Sequence, residues 1–168
     1  MAVLPIKVLG DAVLRQKAKR VSQVDGSIQR LVEDMIDTMR DANGVGLAAP
    51  QVGVPLRVVV IGIPEEEEVI ALINPEIVKR SGERRLTEGC LSVPGYWAEV
   101  TRSLSVTAKG RDLQGRQVRI KAEDDLLAQA LEHELDHING VLYIDHLESL
   151  DELRETATAP EEEVSAEL

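Results

Sequence analysis

The sequence predicts a single α+β domain, in which antiparallel strands pack around a central helix and an amphipathic helix lies nearer the N-terminus. Three observations predict this fold. The 168 residues are enough for one domain with a substantial core. Residues 27–41 and 124–139 repeat apolar side chains at helical spacing, and short apolar runs separated by turn residues lie between them. No internal repeat or linker divides the chain, so these elements belong together.

The first predicted helix covers residues 27–41. Ser27 or Asp25 can cap its start, and Asn43-Gly44 is a typical helix end. Apolar side chains at helical spacing form one face, which we expect to pack on the core. That face consists of Ile28, Leu31, Val32, Met35, Ile36 and Met39.

The middle of the chain predicts a loop followed by strands. Residues 44–55 contain three glycines and two prolines, so we expect a shaped loop there. DLQG at 112–115 is typical of a hairpin turn that leads into the strand QVRIKA. Earlier strands are predicted at 57–63, 69–73, 76–80, 83–92 and 98–108.

The second predicted helix, residues 124–139, can be capped by Asp124 and is followed by Gly140. After YIDHLESLDELRE, which ends at residue 155, the chain becomes too polar to pack. We therefore expect a catalytic domain over residues 1–153 and an acidic, disordered tail over residues 154–168 that packs on nothing.

Charge and composition exclude several function classes. The net charge of −11 disfavours binding of nucleic acids or anionic membranes through a basic face. No apolar run reaches the roughly 20 residues that a membrane helix needs. The N-terminus lacks a signal peptide's apolar segment, and a single cysteine allows no internal disulfide. A cytoplasmic protein is expected.

The stretch from His133 to His137 fits the motif H-E-x-x-H. Two histidines four residues apart on a helix face the same way and can bind one metal ion. A buried, unpaired Glu134 beside them would be costly, so the group needs a cation. A catalytic metal of this kind usually takes three protein ligands and leaves one position for water.

The third ligand has several candidates. His146, Glu148 and Glu152 follow the second helix, and Cys90 lies in TEGCLSVPG. Position 143 is Tyr, so the longer motif with a third histidine six residues on is absent. A thiolate is a strong, soft ligand for zinc or ferrous iron.

Three stretches together resemble the bacterial peptide deformylases. They are GVGLAAPQ at 44–51, EGCLS at 88–92 and HELDH at 133–137, which match the three motifs of that family in order. The opening PIKVLGDAVLRQKAKRV is also similar to the family's start. The resemblance runs from about residue 3 to about residue 150 and leaves only the tail outside.

The resemblance implies a catalytic metal site. Cys90 becomes the third ligand beside His133 and His137, and the implied ion is one Fe²⁺ per chain, with Zn²⁺, Ni²⁺ or Co²⁺ as substitutes. Glu134 becomes the general base. The donors to the oxygen that gains charge would be the amide of Gln51 and the backbone N–H of Leu91.

The implied substrate is a nascent chain that begins with N-formylmethionine, met at the ribosome exit, from which formate is released. We expect a monomer without nucleic-acid or membrane partners. The predicted substrate contacts are Gly44, Val45, Gly46, Leu86, Glu88, Gly89, Trp97 and Ala130.

Two alternatives differ in chemistry. A zinc endopeptidase would use His133, His137 and a downstream carboxylate such as Glu152, and Cys90 would be dispensable. An inactive metal-binding protein of the same fold would fill the site without turnover. Formate release compared with internal cleavage of a formylated peptide separates the three hypotheses.

Overall fold

The computed structural model of the chain describes residues 2–156 and Leu168. Two α-helices, α1 (Gly26–Asp41) and α2 (Leu126–Ile138), are accompanied by short 3₁₀ turns. The strands are β1 (Gly46–Ala48), β2 (Val58–Ile61), β3 (Ile70–Ser81), β4 (Arg84–Cys90), β5 (Val93–Arg102), β6 (Ser105–Arg111), β7 (Gln117–Glu123) and β8 (Arg154–Glu155). Within the described ranges, no helix has the length and apolar character needed to cross a membrane.

The strands form two antiparallel sheets. The larger sheet has the order β1-β2-β3-β6-β7, and the smaller has the order β4-β5-β8. Helix α2 packs against all five strands of the larger sheet, and α1 packs against β1 and β2. The arrangement is the mixed, single-domain fold with antiparallel sheets that the sequence predicts.

Helix α1 forms because a capped start and an apolar face coincide. The Asp25 carboxylate accepts hydrogen bonds from the N–H groups of Ser27 and Ile28. Val32 and Met35 on the apolar face are fully buried. The helix therefore covers one side of the core and supports β1.

Helix α2 is buried on almost every face, which is unusual for a helix that carries two histidines and three acids. Its cap is Asp125, whose carboxylate accepts from the Ala128 N–H, and not Asp124 as the sequence predicts. Asp124 instead has a left-handed backbone with φ of 51° and ends the turn after β7. Helix α2 therefore begins at Leu126.

Three predictions for the segments between the two helices are wrong in detail. Residues 44–55 are not wholly a loop, because Gly46–Ala48 pairs with β2. The predicted break at Asn74-Pro75 is a bulge inside the continuous strand β3, where a proline without an N–H is tolerated. The predicted strand 98–108 is interrupted after Arg102, because the Ser103 N–H donates to the Glu132 carboxylate instead of a strand.

The prediction that residues 154–168 pack on nothing is also wrong. Arg154 and Glu155 pair with Trp97 and Tyr96 at the edge of the smaller sheet. Leu168 is fully buried. Both contacts use main-chain hydrogen bonds, which need no apolar pattern in the sequence. Residues 157–167 of the predicted disordered tail lie outside the described residues.

Candidate active site

Three potential metal ligands converge between the two sheets. Cys90 ends β4, and His133 and His137 lie one turn apart on α2. The Nε2 atom of His137 is 3.3 Å from the Cys90 sulfur and 3.1 Å from the Nε2 atom of His133. The donor atoms of all three lie within 4.8 Å of one another. All three side chains are buried, so the group forms a compact soft-ligand site.

The charges around this cluster favour a cation. Burial alone would lower the pKa of His133, but the negative charges of Glu88, Cys90 and Glu134 raise it well above its ordinary value. Burial and the neighbouring His133 lower the pKa of His137. The cluster therefore attracts one positive charge but not two protons. A divalent ion held by one thiolate and two neutral imidazoles fits this donor set.

Glu134 is positioned as a reactive carboxyl group. It is completely buried, and neither of its oxygens has a hydrogen-bond partner among the described residues. Burial raises its pKa to about 7. A group that binds and releases protons near neutral pH beside a metal site is suited to general acid–base chemistry.

Gly46 makes room for Glu134. A Cβ atom added to Gly46 would lie 2.8 Å from the carboxyl carbon of Glu134 and 2.9 Å from its Cγ. Real Cβ atoms do not approach other atoms this closely, so with any other residue at position 46 the Glu134 side chain or β1 would have to move. The structure thus places Gly46 against the predicted base.

The side chain of Glu88 orients a ligand. Its carboxylate is 2.7 Å from Nδ1 of His133 and accepts a hydrogen bond of 3.0 Å from Nε of Arg102. Burial would raise its pKa, but His133 and Arg102 together hold the pKa well below its usual range. Both oxygens of this side chain are therefore occupied, and the substrate contact predicted for Glu88 stays a prediction.

Sequence reasoning missed the residues that support Glu88. Arg102 binds Glu88 and also Asp136, and Asp136 in turn contacts the exposed His146. Gln129 donates to Glu88 from one turn before His133, so the four-residue spacing on the helix could have revealed it. Arg102 left no such signal, because its position depends on how β4 and β5 pair.

The two predicted hydrogen-bond donors flank Cys90. Gln51 is fully buried, accepts from the Ala48 N–H and donates to the Ser92 hydroxyl at 3.0 Å. Its amide nitrogen is 3.7 Å from the Cys90 sulfur. The Leu91 N–H, next to that cysteine, donates to the Leu168 carbonyl oxygen at 3.0 Å. Both donors therefore lie beside the ligand cluster.

The other predicted substrate contacts lie around the same region. Val45 and Ala130 are buried in one apolar cluster, and Leu86 is half-buried on β4. The Gly89 carbonyl accepts from the Leu168 N–H. The Gly44 N–H donates to Met39 at the end of α1, and half-buried Trp97 pairs with Arg154. Gly44 thus closes the end of α1, where the sequence predicts a helix end, and Trp97 supports the short strand β8.

The alternative ligands lie elsewhere. His146 contacts Asp136, and the Glu152 carboxylate accepts from the Ser149 N–H. Glu148 is exposed. Among the described residues, only Cys90 joins the two histidines of the motif as a possible metal-binding group. This geometry disfavours the endopeptidase ligand set.

Comparison with known proteins gives a consistent result. The polypeptide deformylase family matches residues 3–153. A peptide deformylase of Dehalococcoides mccartyi (strain CBDB1) is 55% identical over 168 residues, which cover 100% of this chain and 99% of that protein. One from Agrobacterium fabrum is 49% identical over 156 residues, 89% of this chain and 90% of that protein.

Solved structures of peptide deformylases are also similar to this chain. The crystal structure of a peptide deformylase from Legionella pneumophila has a TM-score of 0.86 and 49% identity, covering 90% of this chain and 89% of that one. A Synechococcus elongatus peptide deformylase in complex with actinonin has a TM-score of 0.84 and 43% identity, covering 89% and 81%. With its ligand cluster and its matching sequence, the chain belongs to the polypeptide deformylase family.

Proposed function

We propose that the chain hydrolyses the formyl group from the N-terminal formylmethionine of newly made polypeptides and releases formate. The observation that carries this proposal is the buried cluster of Cys90, His133 and His137 with Glu134 beside it. Membership of the deformylase family supports the same reaction. Helix α2 is then the metal-binding helix of the fold, and α1 is its amphipathic support.

The residues that would hold the metal are Cys90, His133 and His137. The thiolate and two imidazoles suit several soft or borderline ions, and we propose Fe²⁺, with Zn²⁺, Ni²⁺ or Co²⁺ as substitutes. When bound, the ion supplies Lewis acidity to the reaction. One thiolate leaves the site with less positive charge than three histidines would. Proton transfer by a neighbouring side chain therefore matters more here.

Glu134 is proposed to move the proton. Its carboxylate takes a proton from the attacking water while the water oxygen forms a bond to the formyl carbon. The same carboxyl group then gives the proton to the amine nitrogen as the C–N bond breaks. Formic acid and a free α-amine result, and the proton that the acid loses passes to the amine, so the products are formate and an ammonium group. Burial raises the pKa of this carboxyl group, which favours its acting first as a base and then as an acid.

Gln51 and Leu91 are proposed to stabilise the formyl oxygen as it gains negative charge. The Gln51 amide is fixed by its bonds to Ala48 and Ser92, and the Leu91 N–H is fixed by its place next to Cys90. Donors that are already oriented need no reorganisation during the reaction.

The substrate is proposed to bind as an extended chain alongside Gly44–Gly46 and Gly89, in the manner of an added strand. Val45, Leu86 and Ala130 would form the walls of the pocket for the methionine side chain. Trp97 would lie at the rim, near the downstream residues of the peptide. We further propose that the protein acts as a cytoplasmic monomer that meets its substrates at the ribosome exit. Its charge of −11 disfavours direct binding to nucleic-acid or membrane surfaces.

The test is formate release from formyl-Met-Ala-Ser by the metal-reconstituted protein. We expect formate without internal cleavage, and no release of acetate from the matched acetyl-Met-Ala-Ser. The variant Cys90→Ala should lose both the metal and the activity. Internal cleavage by a Cys90→Ala protein would favour the endopeptidase, and bound metal without any turnover would favour the inactive form.

A further inference from the structure

Leu168, the last residue of the sequence, is bound at the candidate active site. Its side chain is fully buried. Its N–H donates to the Gly89 carbonyl at 3.4 Å, and its carbonyl oxygen accepts from the Leu91 N–H at 3.0 Å. The two hydrogen bonds therefore bracket Cys90, the proposed metal ligand.

This pairing is what an extended peptide makes when it adds to a strand edge. One residue exchanges both of its main-chain hydrogen bonds with two residues, Gly89 and Leu91, that flank a third. Affinity in this mode comes from the main chain, and selectivity comes from the pocket that takes the side chain. A chance surface contact would have neither the pair of main-chain hydrogen bonds nor a pocket for the side chain.

The Leu168 side chain fills an apolar pocket. It belongs to the same buried cluster as Val45, Ala130 and Leu131. Leucine and methionine have similar volumes and are both unbranched at Cβ, so a pocket that takes one accommodates the other. Val45 and Ala130 are also the proposed walls for the substrate's methionine.

We propose that Leu168 is an internal ligand that competes with the formylated substrate for this site. The inference rests on the proposed function, because Gly89, Leu91 and the Val45–Ala130 pocket are there assigned to the substrate. A single N–H of Leu91 cannot serve the Leu168 carbonyl and the formyl oxygen together at full strength. Substrate binding therefore requires Leu168 to leave.

Competition of this kind raises the apparent KM without changing the chemical step. If Leu168 fills the site nine-tenths of the time, the apparent KM is about tenfold higher than that of the open protein. The effect does not depend on protein concentration, because the ligand belongs to the same chain. Once substrate is saturating, kcat is that of the open site.

Steady-state kinetics with formyl-Met-Ala-Ser provide the first test. Leu168→Asp places a carboxylate in the apolar pocket, and deletion of residues 157–168 removes the ligand altogether. Both variants should show a KM lower by about three- to tenfold with unchanged kcat. The matched control is Leu150→Asp, which makes the same change at a leucine that is 67% exposed and should leave KM unaltered.

Binding of a labelled peptide gives a readout that needs no turnover. The peptide VSAEL, the sequence of residues 164–168, should bind the 157–168 deletion variant and compete with its substrate, whereas VSAED should do neither. The full chain should bind VSAEL more weakly than the deletion variant does.

The inference is overturned if both Leu168 variants keep the KM of the full chain and VSAEL fails to bind. It is also overturned if the KM of the full chain falls on dilution, because the ligand would then come from a second copy. Failure of every form to release formate would instead remove the proposed function, and peptide binding would still decide whether Leu168 occupies the site.

Discussion

At the scale of single residues, Glu134 illustrates how burial raises the pKa of a carboxyl group. Most buried carboxyl groups in proteins are paired, and an unpaired one is costly. Here both oxygens are buried without a hydrogen-bond partner among the described residues, and burial raises the pKa to about 7. The proton transfer proposed for Glu134 would account for this cost, and Gly46 leaves the space for the carboxyl group.

Substitution of Glu134 tests this role. Glu134→Gln keeps the shape of the side chain but cannot carry a proton. We expect metal content to be retained and kcat to fall on the order of 10²-fold or more. The control Glu33→Gln makes the same change at an exposed position on α1 and should be neutral. Wild-type kcat in Glu134→Gln would assign the base elsewhere.

Substitution of Gly46 tests the space around that carboxyl group. In Gly46→Ala the added Cβ would meet the carboxyl carbon of Glu134 at 2.8 Å, so the carboxylate or β1 must move. Because misplacement of a reacting group by about 1 Å can cost roughly 10²-fold, kcat should fall by tenfold or more, while bound metal stays constant. Gly26→Ala, where the added Cβ meets only the end of Arg30 at 3.4 Å, should leave kcat unchanged.

Cys90 makes activity depend on oxygen when the ion is ferrous iron. Ferrous iron and the thiolate that binds it can both be oxidised in air, whereas zinc and nickel ions are not readily oxidised. We expect the iron form to be fast and to lose activity in air, the zinc form to be slower and stable, and the nickel form to be fast and stable. Formate release before and after aerobic storage measures this. An iron form as durable as the nickel form would contradict the expectation.

At the scale of elements, the hairpin of β4 and β5 is joined to α2 by a buried ion-pair network. Arg102 on β5 contacts Glu88 on β4 and Asp136 on α2, and Glu88 contacts His133. Glu88 and Asp136 raise the pKa of Arg102 against the effect of burial, so its charge is permanent. The network fixes the ring of one metal ligand relative to both strands.

Removal of Arg102 should be costly for this reason. Arg102→Met leaves the Glu88 carboxylate buried with only one of its two charge partners, His133, and loss of one member of a buried ion pair costs about 3–5 kcal/mol. The matched control is Arg85→Met on β4, whose pair with Glu99 is more than half exposed and should contribute about 0–1 kcal/mol. Denaturant unfolding of both variants measures the contrast. Equal destabilisation of the two variants would show that the buried ion pair contributes no more to stability than the exposed one.

At the scale of the whole molecule, local patterns predicted some features and not others. Helix α1, the histidine spacing on α2 and the turn at 112–115 follow from side-chain periodicity and turn residues, which are local properties. The role of Arg102 depends on strand register, and the docking of Leu168 depends on main-chain hydrogen bonds. Neither leaves a pattern in the sequence, so neither could be predicted.

The bound metal should stabilise the whole domain. An ion that binds only the folded protein adds about 2.7 kcal/mol at a free concentration 100-fold above its Kd. For a domain of this size that corresponds to a rise in Tm of about 5–10 °C. Chelation should reverse the rise, and Cys90→Ala should abolish it at the same metal concentration. A Tm that does not respond to metal in the wild-type protein would argue against the three-ligand site.

The separate origins of the three ligands have a mechanical consequence. Cys90 belongs to the smaller sheet and His137, 47 residues further along the chain, belongs to the helix on the larger sheet. A bound ion would close that long loop in a chain that has no disulfide to do so. Without the ion, the β4–β5 hairpin keeps its ion pairs to α2 but loses the link through the ligands, so we expect it to open as one unit more readily than α2 leaves its sheet. Amide exchange in the hairpin should then accelerate before exchange in α2.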